Sequence, residues 1–377
     1  MTQKKLKVLF LVSEDWYFCS HRLSLACSIK DAGYDVVVAT HVQDHKQQII
    51  NSGITLLPIR MRRSGINPFI ETLNILELIK IYKHEKPDLV HHVALKPVLY
   101  GSIAAWVTNI NSKINALAGL GYIFTSDQWK AKLINPFIRV LFKVLLNRTN
   151  TKVILQNPDD CELMVNSKII RKRNIELIRG AGVNLDEFNV SPENTSIPLV
   201  MLASRMLQDK GVYEFVSAAK LLYKENVKVR FILVGDGDKD NPASISNTQL
   251  HKWVDEGIVE WWGRKDNMSD IIKKANIVCL PSYREGLPKV LLEAAACGRA
   301  IVATDVPGCR EIVQNNYNGL LVPPRNSIEL ALAIKKLVLN STLRKYMGDN
   351  GRKLVAIEFS DQRVKNDTLA LYADVLT

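Results

Sequence analysis

At 377 residues the chain has room for two or three domains. Its 47% hydrophobic and 23% charged residues are the composition of a globular protein and exclude fibrous and disordered classes. The formal net charge of +12 falls mostly on residues 1–190, which suits an anionic partner there, whether nucleic acid, a membrane surface or a phosphorylated substrate.

Lys4, Lys5 and Lys7 precede an apolar run, Val8–Val12, that stops at Ser13-Glu14-Asp15. That run is shorter than the ~7–15 residues of a secretory signal core and reads as a first β-strand. No run approaches the ~20 apolar residues of a membrane span. The cysteines (19, 27, 161, 279, 297 and 309) form no CxxC pair, which points away from zinc or a disulfide framework and towards a reducing cytoplasm.

Along the first half, Lys7–Val12, Asp35–Thr40, Leu89–His91, Lys113–Leu117 and Lys152–Gln156 read as strands, separated by helical stretches such as Ser20–Ala32, which Gly33 closes. The polar segment Asn189–Pro198 reads as a linker. A second series follows, with strands Leu199–Ala203, Val229–Val234, Ile258–Trp262, Ile277–Leu280 and Ala300–Ala303. This alternation predicts an α/β protein of two doubly wound halves, residues 1–188 and 199–357, with a ligand cleft at the carboxyl ends of the strands.

Arg205 and Lys210 follow strand Leu199–Ala203 directly, so they either grip a pyrophosphate or are a pair of solvated charges. In SYREGLPKVLLEAAACGRAIV, Pro288 and Gly298 bracket a helix over Pro288–Cys297. Its N-terminus, preceded by Glu285-Gly286-Leu287, offers free N–H groups to an anion. Glu293 sits amid alanines and leucines, where an unpartnered carboxylate is costly. The two hydroxyls of a ribose would satisfy it better than an i, i+4 pair with Lys289, whose orientation is the weaker one. Glu285 faces a donor sugar, or else is a carboxylate favoured by the helix dipole. The Gly235-Asp236-Gly237-Asp238 stretch reads as a turn rather than a metal site, and it does not extend to GxGxxG.

Together these motifs resemble glycosyltransferase family 4, and the similarity runs from Lys7 to about residue 357. Arg62–Pro68, Ala118–Ser126 and Gln156–Asp160 resemble the CapM/PglA-like branch, which builds capsule, O-antigen and protein-glycan precursors on polyprenyl diphosphate. The resemblance implies a GT-B fold, retention of anomeric configuration, no metal or other cofactor, and a nucleotide-sugar donor, with UDP-linked N-acetylhexosamine the leading choice and GDP-mannose or a UDP-hexose the alternative. By the same resemblance Arg205 and Lys210 bind the donor diphosphate and Glu293 the ribose. Glu285, Gly286 and Leu287 hold the sugar and phosphate, Gly235 belongs to the donor loop, and Gly263-Arg264 lies near the nucleobase. A last helix, Ser360–Leu376 within residues 358–377, would cross back to the first domain. Where the branch often has a histidine before Gly-Leu-Gly this chain has Ala118, and of the usual HxH only His91 is kept in His91-His92-Val93, so no general base is assigned.

On the acceptor side the candidates are Glu14 and Asp15 for hydroxyls, Arg22 and His21 for a diphosphate, and His91 and Lys96 nearby, with capping or surface contacts the competing reading for each. Trp129–Arg148 carries five basic residues and no acid, and with Arg60, Arg62 and Arg63 reads as a surface for anionic lipid or as a domain-packing helix. The expectation is a cytoplasmic enzyme on the inner face of the membrane with a lipid-linked acceptor. Its rivals are a nucleotide-sugar epimerase and an inactive scaffold of the same fold; a nucleic-acid binder lacks a recognition module.

Overall fold

The computed structural model describes residues 5–63, 65, 67–117, 138–193, 196–238 and 241–377. The chain forms two compact units, one of Met1–Ala181 with Arg363–Thr377 and the other of Gly182–Gln362.

The first unit is built on a parallel sheet of β1 (Lys7–Glu14), β2 (Asp35–His41), β3 (Thr55–Pro58), β4 (Leu89–Val93), β5 (Ser112–Ala116), β6 (Thr151–Leu155) and β7 (Ile175–Leu177), in the order β3-β2-β1-β4-β5-β6-β7. Strands covered on both faces read as unbroken apolar runs, and β1 shows why. Its Val8, Phe10 and Val12 pack on one side with Leu25 and with Leu371 and Tyr372 of the last helix, Asp361–Leu376. Leu9 and Leu11 pack on the other side with Leu78, Tyr82 and Ala104 from helices Pro68–Glu85 and Leu95–Val107.

The second unit repeats the scheme with β8 (Leu199–Ala203), β9 (Arg230–Val234), β10 (Glu260–Trp261), β11 (Ile277–Leu280), β12 (Ala300–Thr304) and β13 (Gly319–Val322), ordered β10-β9-β8-β11-β12-β13, all parallel. Val200 and Leu202 face one core and Leu199 and Met201 the other. In both sheets the strand order reverses beside the first strand, between β1 and β4 and between β8 and β11. Loops leaving those strands diverge there, and that is where doubly wound sheets bind ligands.

Three expectations need correction. The helix expected over Ser20–Ala32 is two helices, Asp15–His21 and Leu23–Asp31, parted at Arg22 with φ −131°. The stretch 189–198 is not a free linker. The chain has entered the second unit by Gly182, Arg299 holds the Ser191 carbonyl at 3.0 Å, and Glu193 pairs with Arg344 at 2.9 Å. Helix Lys289–Ala296 starts one residue after Pro288, which takes the cap position, and Gly298 follows with φ +69°. Ala118–Ser126 and residues 129–137 of the basic segment lie outside the described residues; residues 138–145 are helical. Among the described residues no helix is long and apolar enough to cross a membrane.

Candidate active site

The loops after β8 and β11 meet in the second unit. After Ala203 the chain makes a 3-10 turn, Gln208–Lys210, and enters helix Val212–Lys224 through Gly211 at φ +71°. A Cβ at Gly211 would fall 2.1 Å from the Pro281 carbonyl oxygen, so only glycine lets the two loops touch. Across that contact Lys210 Nζ donates to Glu285 Oε1 at 2.5 Å, joining positions 75 apart in sequence. The amide of Tyr283 donates to the Asp209 carbonyl at 2.9 Å, and the Tyr283 hydroxyl to Glu214 Oε1 at 2.7 Å. Arg325 lies over the Tyr283 ring, 4.6 Å from its centroid. Burial, more than its bond to Glu214, raises the Tyr283 phenol above its ordinary range.

Arg205, more than two-fifths exposed, pairs with Asp238 at 2.6 Å. Gly235, at φ +125°, brings β9 so close that a Cβ would lie 2.0 Å from the Ser204 carbonyl oxygen. The Gly235 amide donates to the Gly263 carbonyl at 2.9 Å. Arg264 lies on the surface, 3.6 Å from Asp266. Gly308 packs against the loop before helix Lys289–Ala296, where a Cβ would meet the Gly286 carbonyl oxygen at 2.4 Å.

Glu293 is buried on that helix, and Lys289 reaches it at 3.3 Å. The weaker-orientation pair is therefore present. Desolvation nevertheless outweighs it and holds the carboxyl above the ordinary glutamate range. A carboxylate kept dry at a cost, with a partly exposed ammonium beside it, still has capacity for donors from a ligand.

In the first unit the candidates fall into two groups. Glu14 and Lys96 hold one loop: Glu14 Oε1 accepts from the Arg63 amide at 2.8 Å, while Lys96 Nζ donates to the Arg62 carbonyl and to Glu71, at 2.9 and 2.7 Å. Asp15 is fully buried and accepts from the amides of Trp16, Gln43 and His45 at 2.7 to 2.9 Å, which makes it a brace for the residue 43–45 turn. His21 stacks on Tyr17 with ring centroids 4.2 Å apart. Arg22 and His91 are interior. Among the described residues Arg22 donates to the Gly180 carbonyl, at 3.4 Å, and its Nε finds no partner. His91 Nδ1 meets the Tyr372 hydroxyl at 2.6 Å, and burial, then the Arg22 charge, push its pKa well down. The histidine that breaks the pattern, His92, is enclosed between Tyr82 at 3.0 Å and Asn115 at 2.8 Å.

Reading by sequence missed Asp238 as the partner of Arg205 and missed the Glu214–Tyr283–Arg325 brace. Asp238 was in view as part of a turn, but only the fold shows which cation it faces.

Two family models match the chain. One, described as "Glycosyl transferase 4-like", covers residues 7–157, and the other, "Glycosyl transferases group 1", covers residues 197–340. The N,N'-diacetylbacillosaminyl-diphospho-undecaprenol alpha-1,3-N-acetylgalactosaminyltransferase of Campylobacter jejuni is 28% identical over 368 residues, spanning 94% of this chain and 95% of its own. The capsular polysaccharide biosynthesis glycosyltransferase CapM of Staphylococcus aureus is 24% identical, spanning 83% of each. Among solved structures, Anabaena HepE in complex with UDP superposes with a TM-score of 0.78 at 18% identity, covering 98% of this chain and 100% of that one. Sucrose-phosphate synthase from Thermosynechococcus elongatus superposes with a TM-score of 0.80 at 18% identity, covering 98% and 99%.

Proposed function

Because the chain belongs to the GT-B glycosyltransferases of family 4, in the CapM/PglA-like branch, we propose that it transfers an N-acetylhexosamine from UDP-GalNAc or UDP-GlcNAc to a polyprenyl-diphosphate-linked saccharide, with retention of configuration and without a metal. The observation that carries this is the Lys210–Glu285 pair at the switch point of the second sheet, in the loop after β8 that also carries Arg205, ahead of the helix that buries Glu293. The full-length similarity to a GalNAc transferase acting on an undecaprenyl-diphosphate sugar supports the donor and acceptor class.

The chemistry follows from where charge develops. As the bond from the anomeric carbon to the donor diphosphate breaks, negative charge gathers on the leaving phosphate, and Arg205 and Lys210 stabilise it there. The acceptor hydroxyl forms the new bond on the same face and gives its proton to that phosphate, so no separate general base is required. Glu285 orients Lys210 and the donor sugar, and Glu293 takes the ribose hydroxyls. The enzyme works in the cytoplasm at the inner face of the membrane, where such acceptors reside.

The test is transfer from a panel of UDP- and GDP-sugars to a short-chain polyprenyl-diphosphate saccharide in the presence of EDTA, with the product anomer read by NMR. An α-linked product from a UDP-N-acetylhexosamine supports the reading. Product from another donor alone reassigns the donor, conversion of donor without acceptor favours an epimerase, and inversion overturns the mechanism.

A further inference from the structure

Helix Pro68–Glu85 is built inside out. It buries Glu71 and Asn74 along with Leu78 and Tyr82, while Phe69 is 73% exposed and Ile70, Leu73 and Leu76 are about half exposed. Residues 69, 73 and 76 continue through Lys80 and Lys83 as one stripe at helical spacing, all exposed. The inward polar residues are satisfied: Glu71 takes Lys96 at 2.7 Å and the Asn74 amide at 2.9 Å. Among the described residues nothing of the unit covers the outward apolar ones, and a run of this kind on a globular protein marks a contact surface.

The neighbouring helices extend it. Helix Leu95–Val107 packs beside Pro68–Glu85 and leaves Trp106 half exposed, with the Arg148 guanidinium 4.4 Å from its ring centroid. Val98 of that helix shares a core with Ile138 and Phe142, placing residues 138–145 in the same layer, where Val140 and Val144 are outward and Arg139 and Lys143 are exposed beside them in sequence. On the described residues of these three helices no carboxylate is exposed: Glu71 is buried, and Glu77 and Glu85 are partly covered.

We propose that this layer, with Phe69, Leu73 and Leu76 inserted and Lys80, Lys83, Arg139 and Lys143 on headgroups, is the face by which the protein lies on an anionic phospholipid bilayer. The inference rests on the reading that the acceptor is lipid-linked, and it assigns the contact to one surface. The charge decides the occupant, because apolar side chains flanked by exposed cations without exposed acids complement acidic headgroups over acyl chains.

The test is co-sedimentation of the full chain with vesicles of phosphatidylethanolamine and phosphatidylglycerol, and with vesicles of phosphatidylcholine alone. The wild type is expected to partition at least tenfold more strongly onto the anionic vesicles. The variant Phe69→Ser/Leu73→Gln/Leu76→Gln is expected to lose at least tenfold of that binding, with transfer to a detergent-dispersed acceptor kept within twofold. The pair Lys80→Glu/Lys83→Glu, which leaves every apolar side chain in place, is expected to lose the preference for phosphatidylglycerol. Anionic binding that survives both sets of substitutions overturns this face while leaving the membrane reading intact. A wild type that binds neither vesicle ends both, and a dimer in light scattering that the triple variant splits without any vesicle binding assigns the face to a second copy instead.

Discussion

Glu293→Gln separates a ligand-binding carboxylate from a structural one, because the two roles predict opposite signs. In the free protein the Glu293 side chain is 8% exposed with Lys289 at 3.3 Å, and burial raises its pKa. For a group whose folded pKa lies above its unfolded value as an acid, the unfolded chain gives up its proton first, so the native state is penalised once pH exceeds the unfolded pKa. Glutamine has the same shape and no charge, so the variant unfolds at an equal or higher temperature near neutral pH. On the proposed ribose role, however, the donor loses a charged acceptor for its hydroxyls, and hydrogen bonds to charged groups are each worth about 1.5–3 kcal/mol. That is roughly a tenfold to hundredfold rise in Kd. Calorimetric titration with UDP beside thermal unfolding measures both. A fall in melting temperature with unchanged UDP affinity would refute the ribose role and leave Glu293 as a structural partner of Lys289.

On the proposed role, Lys210→Met removes a cation from the leaving diphosphate and is expected to lower kcat about a hundredfold or more, in the range for lost transition-state donors, with UDP affinity reduced less; steady-state and binding measurements on one preparation decide it. Gly211→Ala forces a Cβ against the Pro281 carbonyl at a left-handed φ, so it is expected to destabilise the second unit by more than about 1 kcal/mol, read as a lowered denaturant midpoint. Asp15→Asn leaves one oxygen for three backbone amides and is expected to destabilise the first unit through the 43–45 turn while sparing UDP binding, as paired unfolding and titration data show. Burial holds His92 down to about 4, so between the unfolded value near 6.5 and about 4 the unfolded chain binds the extra proton. Stability of the first unit therefore falls as pH drops through that window, and His92→Gln is expected to flatten the dependence in urea titrations at stepped pH.

Strands buried on both faces were plain in the sequence: Leu199–Ala203 and Ile277–Leu280 match β8 and β11 residue for residue. Thr55–Pro58, Ile175–Leu177 and Gly319–Val322 were not, since short strands away from the centre of a sheet carry too few apolar residues to stand out. The strand-end positions of Arg205, Lys210 and Glu285 could be read from the sequence, because each follows β8 or β11 within a few residues. The first-half candidates could not. Whether Glu14 or Asp15 faces a ligand depends on amides at residues 43, 45 and 63, brought by other loops, and nothing near residue 14 in sequence announces them.

The first unit takes its last helix from the far end of the chain, and that orders its assembly in time. Tyr372 closes on His91, and Ser112 donates to the Val375 carbonyl at 3.0 Å, so neither contact can form while the ribosome is still making Gly182–Gln362. At ~5–20 residues per second that interval lasts roughly 10–40 s. Throughout it Phe10, His91 and their neighbours await a cover, and the second unit is free to fold first. The nascent half-protein is thus the stage at which aggregation or chaperone capture competes, and a chain cut before residue 363 leaves its first unit permanently in that state.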